Sequence, residues 1–472
     1  MASGSNITSG FIDLATFDEI EKYQYGSNQA FAYFVRETRK STWFTQVPVL
    51  LSRSTGSPDF GQTWSVNISR AGDYLLHVWL RLTLPQIEVL PGNAFGNIAT
   101  SQGALSWCKN FMHNLVESCT ITFNDLIAEQ FDTYFLDFWS AFTVVQSKRF
   151  GYDNMIGNFD DLVNPHIAGD PIPSRTLNLP LPFFFTRDSG VALPTAALPY
   201  NDMKINFQFR NWQDLLILSQ TVPPTTITPT ANVAADFFRV PIVPTDIAAA
   251  PVITNVQVWA NYAICSNEER KRMACSPRDI LIEQTQSAPR QTFAPATAPN
   301  PRYDIRFSHA IKALFFGVRN TSFQNIRSNY TSASPVGGPQ VINYQTGLDD
   351  DPIITTSLVY ENTNRLAEMG SDYFSLVNPF YHAPAIYTET GYHLYSYSLN
   401  FYELDPLGST NFGKLTNVSF APSASASAII GANGTGAARS GVSFPQTYEF
   451  FVIGVNNNII RISGGALGFP VL

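Results

Sequence analysis

The chain has 472 residues and a mass of 52.3 kDa, more than one compact core accommodates and enough for two domains with arms. Charged residues make up only 14% of it, against about 25% in an ordinary globular domain, so much of the surface is expected to face protein. With 37 acidic against 29 basic side chains, it cannot neutralise a phosphate backbone over any large face, and nucleic-acid binding is excluded as its main activity.

The first ten residues, MASGSNITSG, contain neither a basic segment nor an apolar one, and no apolar run reaches the roughly 18 residues a spanning helix needs. A soluble, cytosolic product is the expectation. Between Thr8 and Tyr25, apolar Phe11, Ile12, Leu14, Phe17 and Ile20 interleave with Asp13, Asp18, Glu19 and Glu21. A membrane-surface helix wants lysine and arginine on its polar face, whereas this arm is acidic, so docking onto protein is predicted.

Period-two alternation then recurs along the chain. Tyr74, Leu76, Val78, Leu80, Leu82 and Leu84 form one apolar face of a long strand, and Cys119, Ile121 and Phe123 alternate with Ser118, Thr120 and Thr122. Asn124 and Asp125 stand as caps before Ile127, Phe131, Tyr134, Phe135, Phe138 and Phe142. Their three- and four-residue spacing predicts an amphipathic helix across the end of a sheet. Met203, Ile205, Phe207 and Phe209 mark a strand with one buried face. The Pro/Thr-rich stretch from Ser219 to Pro251 reads in part as an interdomain linker.

The second half repeats the pattern. Val252, Thr254, Val256, Val258 and Ala260 form a strand face, and NEERKRMAC, from Asn267 to Cys275, reads as a short helix with Glu268 and Glu269 in its first turn. Its basic triplet Arg270, Lys271 and Arg272 is expected to be a solvated face. Tyr395, Tyr397, Leu399 and Phe401 alternate with serine and asparagine as another strand. FFVIGV and IIRIS, separated by Asn456 to Asn458, suggest a hairpin. Many strands, few helices and no β-α-β rhythm give an all-β chain of two tandem eight-stranded sandwiches, with the jelly roll as leading topology. The predicted division is an arm at 1–45, a first jelly roll at 46–218, a linker at 219–250 and a second jelly roll at 251–472.

Catalytic motifs are missing: no phosphate-binding glycine loop, HExxH or GxSxG occurs. The histidines His77, His113, His166, His309, His382 and His393 lack ligand spacing and are expected to be structural. Asp160 and Asp161 are too close to straddle a glycosidic bond, and Asp349 to Asp351 read as a solvated acidic loop. Cys108, Cys119, Cys265 and Cys275 suit buried free thiols rather than a zinc site. Asn6, Asn67, Asn320, Asn329, Asn417 and Asn433 begin N-x-S/T triplets and read as polar loop residues. No catalytic residue, cofactor or metal is predicted.

Segments from Ile7 to the C-terminus carry a resemblance: ITSGFIDLATFDEIE, FGQTWSVNISRAGDYLLHVWLRL, LPLPFFFTRDSGVALPTAALPYNDMKI, RFSHAIKALFFGVRN, SLVYENTNRLAEMGSDYFSLVNPFYH and NNNIIRISGGALGFPVL. In order, they resemble the major capsid proteins of nucleocytoplasmic large DNA viruses, of the iridovirus and marseillevirus type. The resemblance implies a double jelly roll and a homotrimeric, nearly hexagonal capsomer in an icosahedral virion shell assembled in the host cytoplasm. It also implies partners: further copies of the chain, neighbouring capsomers, minor capsid and penton proteins, and indirectly an internal membrane. On that reading Phe11, Ile12, Leu14 and Phe17 of the arm are the candidate contacts. The alternatives are a carbohydrate-binding attachment protein, suggested by 36 Phe, 20 Tyr and 7 Trp, and a glycoside hydrolase suggested by fold analogy alone.

Overall fold

Met1–Trp43 and Phe44–Leu472 form separate units. The structure, a computed structural model, describes residues 4–88, 102–167, 170–221, 247, 249–322, 324–332, 351–433 and 445–470. In the arm, helices α1 (Gly4–Ala15) and α2 (Glu19–Gln24) are separated by a short turn. Asp18 caps α2: its carboxylate accepts the Ile20 N–H at 2.9 Å, and Glu21 reaches back to the Asp18 N–H at 3.4 Å.

The body begins with β1 (Phe44–Leu50), β2 (Ser52–Thr55), β3 (Thr63–Asn67), β4 (Tyr74–Leu84), β5 (Gln102–Trp107), β6 (Val116–Phe123), β7 (Leu126–Asp132), β8 (His166–Ile167), β9 (Arg175–Pro180), β10 (Met203–Phe209), β11 (Leu216–Thr221) and β12 (Thr254–Cys265). They form sheets ordered β1-β12-β4-β9 and β2-β3-β10-β6-β7, with a third ladder β11-β5-β8. Leu80, Leu82, Val258 and Ala260 from one sheet meet Trp64, Cys119, Ile121, Ile205 and Phe207 from the other in a single core.

Two sequence expectations change here. β12, placed by the sequence at the head of the second half, pairs with β1 and β4 and completes a sheet of the first sandwich. Leu75, expected on the outer face of β4, is fully buried, because a register shift where Asn261 and Tyr262 oppose His77 and Leu75 flips the side-chain alternation. Of the expected linker, residues 222–246 and 248 lie outside the described residues, and Ser219 to Thr221 belong to β11.

The second sandwich comprises β13 (Arg278–Ser287), β14 (Gln291–Phe293), β15 (Tyr303–Ile305), β16 (Ala310–Asn320), β17 (Ile353–Tyr360), β18 (Thr363–Gly370), β19 (His393–Ser396), β20 (Thr410–Asn411), β21 (Val418–Ala424), β22 (Tyr448–Ser463) and β23 (Ala466–Gly468). A sheet with the path β13-β22-β16-β19 faces a second, β15-β21-β17-β18. Every ladder among the described strands is antiparallel.

Turn chemistry explains several boundaries. Asn124 and Asp125, at φ 49° and 64°, form the two-residue link between β6 and β7, not the start of a helix. Residues that cap helices also tolerate the left-handed backbone of a tight hairpin, and here the hairpin wins. The chain first makes a short helix, α3 (Phe111–Leu115), before β6, and the longer helix α4 (Thr133–Thr143) begins only after β7, capped by Asp132, whose carboxylate accepts the Phe135 N–H at 3.0 Å. The expected hairpin at Asn456 to Asn458 is one continuous strand, β22, with Asn456 and Asn458 bonded to Gln286 and Gln284 of β13 at 3.0 and 2.8 Å. Conversely, the strand expected through Phe401 ends at Ser396, where the Ser396 and Ser398 hydroxyls bond to nearby main chain and divert it from the ladder.

Candidate assembly surface and the junction between the sandwiches

The arm leaves its apolar residues uncovered. Phe11, Ile12 and Leu14 lie on α1 with exposures of 68, 60 and 74%, and Phe17, in the turn before α2, is 50% exposed. At helical spacing Ile7, Phe11 and Leu14 share one face, Ile12 stands beside it, and Phe17 lies beyond the helix.

In the body, β16 joins two cores. Its sequence AIKALFFGVRN is buried on both faces. Leu314, Phe316 and Val318 fill the core of the second sandwich, while Ala313 and Phe315 join the core of the first. Against this second face lies α4, buried on all sides from Thr133 to Phe142. The expectation of an amphipathic helix across a sheet end is thereby corrected: a helix apolar all round is an interior element. Phe142 stacks on Phe315 at 5.8 Å, and Phe138 meets Tyr392, Tyr330 and Phe451 at 4.7 to 5.2 Å. Gly317 of β16 makes room, because a side chain there would begin 3.0 Å from the Phe138 ring.

Two buried polar clusters pin this junction. Asp137 of α4 accepts from Asn110 Nδ2 at 3.2 Å, His113 Nδ1 at 2.7 Å, Ser328 Oγ at 2.6 Å and Tyr330 OH at 2.7 Å. Tyr152 OH meets His113 Nε2 at 2.7 Å, so the ring is held from both ends. Ser328 sits at φ 53°, an uncommon conformation for a side chain of its kind, and the bonds to Asp137 and Asn114 hold it there. At Gly391, φ is +90° and an added Cβ would fall 2.0 Å from the Tyr330 carbonyl oxygen, so only glycine lets this loop approach.

The second cluster is ionic. Lys312 Nζ of β16 donates to Glu283 Oε1 of β13 at 2.5 Å and to the Glu403 carbonyl. Arg187, lying 3.5 Å over the Trp139 ring, faces Glu283 at 3.7 Å. Glu129 of β7 accepts the Phe184 N–H at 2.8 Å. Burial pushes the Glu129 carboxyl up to about 8, against the opposing pull of Arg187 and the Phe184 N–H. Its folded-state pKa is thus raised, so the stability it contributes is full below about 4.5 and lost as pH rises through about 8. Glu129→Gln is expected to flatten the dependence of Tm on pH over that window and to stabilise the alkaline end by about 1–3 kcal/mol, measurable by calorimetric scans across the pH range.

Beside the junction, Trp79, Trp139, Val144, Met155, Pro180 and Tyr402 line a groove of about 700 Å³. Phe150, Phe380, Tyr381 and Leu399 are exposed by 67 to 80%. Among the described residues no three His, Cys, Asp or Glu side chains are grouped to hold a metal.

The family described as "Large eukaryotic DNA virus major capsid protein" matches residues 269–468, and "Major capsid protein N-terminus" matches residues 32–264. The chain belongs to this family of major capsid proteins. The major capsid protein of Costelytra zealandica iridescent virus is 63% identical over 477 residues, covering 100% of this chain and 99% of that protein. That of Invertebrate iridescent virus 6 is 61% identical, with coverage of 100% and 99%. Among solved structures, the quasi-atomic model of the PBCV-1 virus capsid aligns with a TM-score of 0.68 at 20% identity, covering 93% of this chain and 100% of that one. At that identity the likeness concerns the fold, which is the double jelly roll.

As a capsid protein of a large DNA virus, the chain is a structural component of the virion. Several residues differ from what the sequence suggests. Asp351 is fully buried and bonded to His393 Nε2 at 2.8 Å, not solvated, while Asp349 and Asp350 lie outside the described residues. Cys108 and Cys119 are buried thiols, but Cys265 is partly exposed and Cys275 exposed. Asn320 and Asn329 are buried, and Asn320 spans Thr331 and Gln446, unlike loop residues. The helix Asn267–Cys275 forms as expected, and Arg270 is drawn into a two-armed bond with Asp73 at 2.7 and 3.0 Å. Among the described residues, no helix is long and apolar enough to cross a membrane.

Proposed function

We propose that three copies of this chain associate as one capsomer, a six-sided tile of an icosahedral shell. One observation carries the reading: two antiparallel sandwiches of a single chain are locked into one body by α4 and its buried polar partners. Three such bodies present six similar flanks, as mostly six-neighbour tiling requires. The first jelly roll would then run from β1 to β12 and the second from β13 to β23. Exposed Phe150, Phe380, Tyr381 and Leu399 support lateral contacts of modest individual strength, which a shell sums over many neighbours. Phe11, Ile12, Leu14 and Phe17 of the arm would dock onto minor capsid or penton proteins, or onto neighbouring capsomers near an internal membrane.

Light scattering on the purified chain is expected to give about three times 52.3 kDa, persisting on dilution. A chain lacking residues 1–40 should still give three times its own, smaller mass yet form few closed particles in electron micrographs. A stable monomer would refute the capsomer reading, and normal particles from the truncated chain would refute the role of the arm.

A further inference from the structure

We propose that the cleft where Arg210, Arg319 and Arg327 converge, between the two jelly rolls, binds a small tetrahedral oxyanion of the phosphate or sulfate class. Arg210 follows β10 in the first sandwich, Arg319 lies in β16 of the second, and Arg327 is in the segment after β16. The side chain of Arg210 is 9% exposed and Arg319 is 8% exposed, so water screens neither well.

Their neutralisation is thin. Arg210 Nη1 meets Glu117 at 3.3 Å, but that carboxylate is 42% exposed, and Nη2 donates to the Thr133 hydroxyl at 3.2 Å. Arg319 Nη1 donates to the Tyr134 hydroxyl at 3.1 Å. Arg327 Nε donates to the Asp214 main-chain carbonyl at 3.4 Å. Nearby acids are engaged elsewhere: Asp137 with its four donors, Asp132 with Arg290 at 3.2 Å and Glu449 with Tyr134 at 3.2 Å. The Nε atoms of both Arg210 and Arg319 are buried without a hydrogen-bond partner. Leaving such donors unmet is costly, and an anion would satisfy them. Burial and the like charges of Arg210 and Arg319 also pull Arg327 down to about 10, a sign of unrelieved repulsion.

The cleft is narrow, with the polar side chains of Asn114 and Ser328 on its wall. With the side chains where they stand, a water molecule does not fit, so binding draws the guanidinium groups outward around the anion. Planar guanidinium forks match the oxygens of an oxyanion in pairs, which a halide cannot reproduce. The ion would act as a clamp, relieving repulsion between two halves that the aromatic junction already holds together. This inference does not depend on how copies of the chain assemble.

The test is thermal unfolding of the full chain, dialysed into chloride, against sodium phosphate, sodium sulfate and sodium chloride at matched pH and ionic strength. Phosphate or sulfate is expected to raise Tm by about 3 °C or more over chloride and to saturate. Calorimetric titration with sodium phosphate should show one site per chain, and Arg319→Gln or Arg327→Gln should weaken it at least about tenfold, the loss of one charge-assisted contact. In chloride, neither substitution should lower Tm much, since each removes a repelling charge. Arg327, partly exposed, supplies the variant that folds if Arg319→Gln does not. Equal Tm in all three salts, or an oxyanion effect undiminished in Arg327→Gln, would overturn the proposal.

Discussion

Asp137→Ala is expected to destabilise the body by about 3–5 kcal/mol, read as a fall in urea midpoint with little change in slope. The carboxylate is buried to within 1% and its two oxygens take four hydrogen bonds, two from the first jelly roll and two from the second. Truncation strands the Tyr330 and Ser328 hydroxyls and the His113 N–H in a site water does not reach. It also releases Ser328 from its left-handed backbone, loosening the segment that Gly391 admits against Tyr330. Asp137→Asn keeps the shape and an acceptor oxygen but sets an NH₂ group against donors, so it should cost about half as much. A loss under about 1 kcal/mol for the alanine variant would mean that the aromatic contacts alone hold the sandwiches in register.

Alternation made the outer framework legible. Met203, Ile205, Phe207 and Phe209 are all buried as their spacing requires, and β10 sits between β3 and β6. Alternation gave two tandem sandwiches with the jelly roll as leading topology, and the resemblance implied the double jelly roll outright. What alternation cannot resolve is a residue type with two structural uses: Asn124 and Asp125 suit a helix cap and a tight hairpin equally, and Asn456 to Asn458 suit a turn but also a polar ladder with Gln284 and Gln286. α4 carried a readable signal, since TYFLDFWSAF has almost no polar stripe and therefore belongs in an interior. The clusters around it had none. Asp137 and Tyr330 are 193 positions apart, and the partners of Arg210 come from strands and loops spread over the whole body. Only the packing of β16 against α4 brings them together, and that packing depends on which face of an all-apolar strand looks outward.

The same junction yields the second large effect, at Lys312. Lys312→Met removes the cation that lies 2.5 Å from Glu283, with both side chains only 1% exposed. Glu283 then keeps Arg187 at 3.7 Å, too far for a hydrogen bond, and the Glu403 carbonyl loses its donor. Breaking a buried ion pair by removing one partner costs about 3–5 kcal/mol, so the variant should unfold well below the parent in urea. The double variant Lys312→Met with Glu283→Leu separates this from a packing defect. Removing both charges leaves Arg187 facing Glu129 alone and trades an ion pair for apolar contact, which is often neutral or stabilising. It is therefore expected to recover at least half of the loss, giving a coupling energy of about 2 kcal/mol or more in the cycle. Additive losses would show instead that Lys312 stabilises β16 through its contact with Glu403, and that the pair with Glu283 contributes little to holding β13 and β16 together across β22 in the second jelly roll.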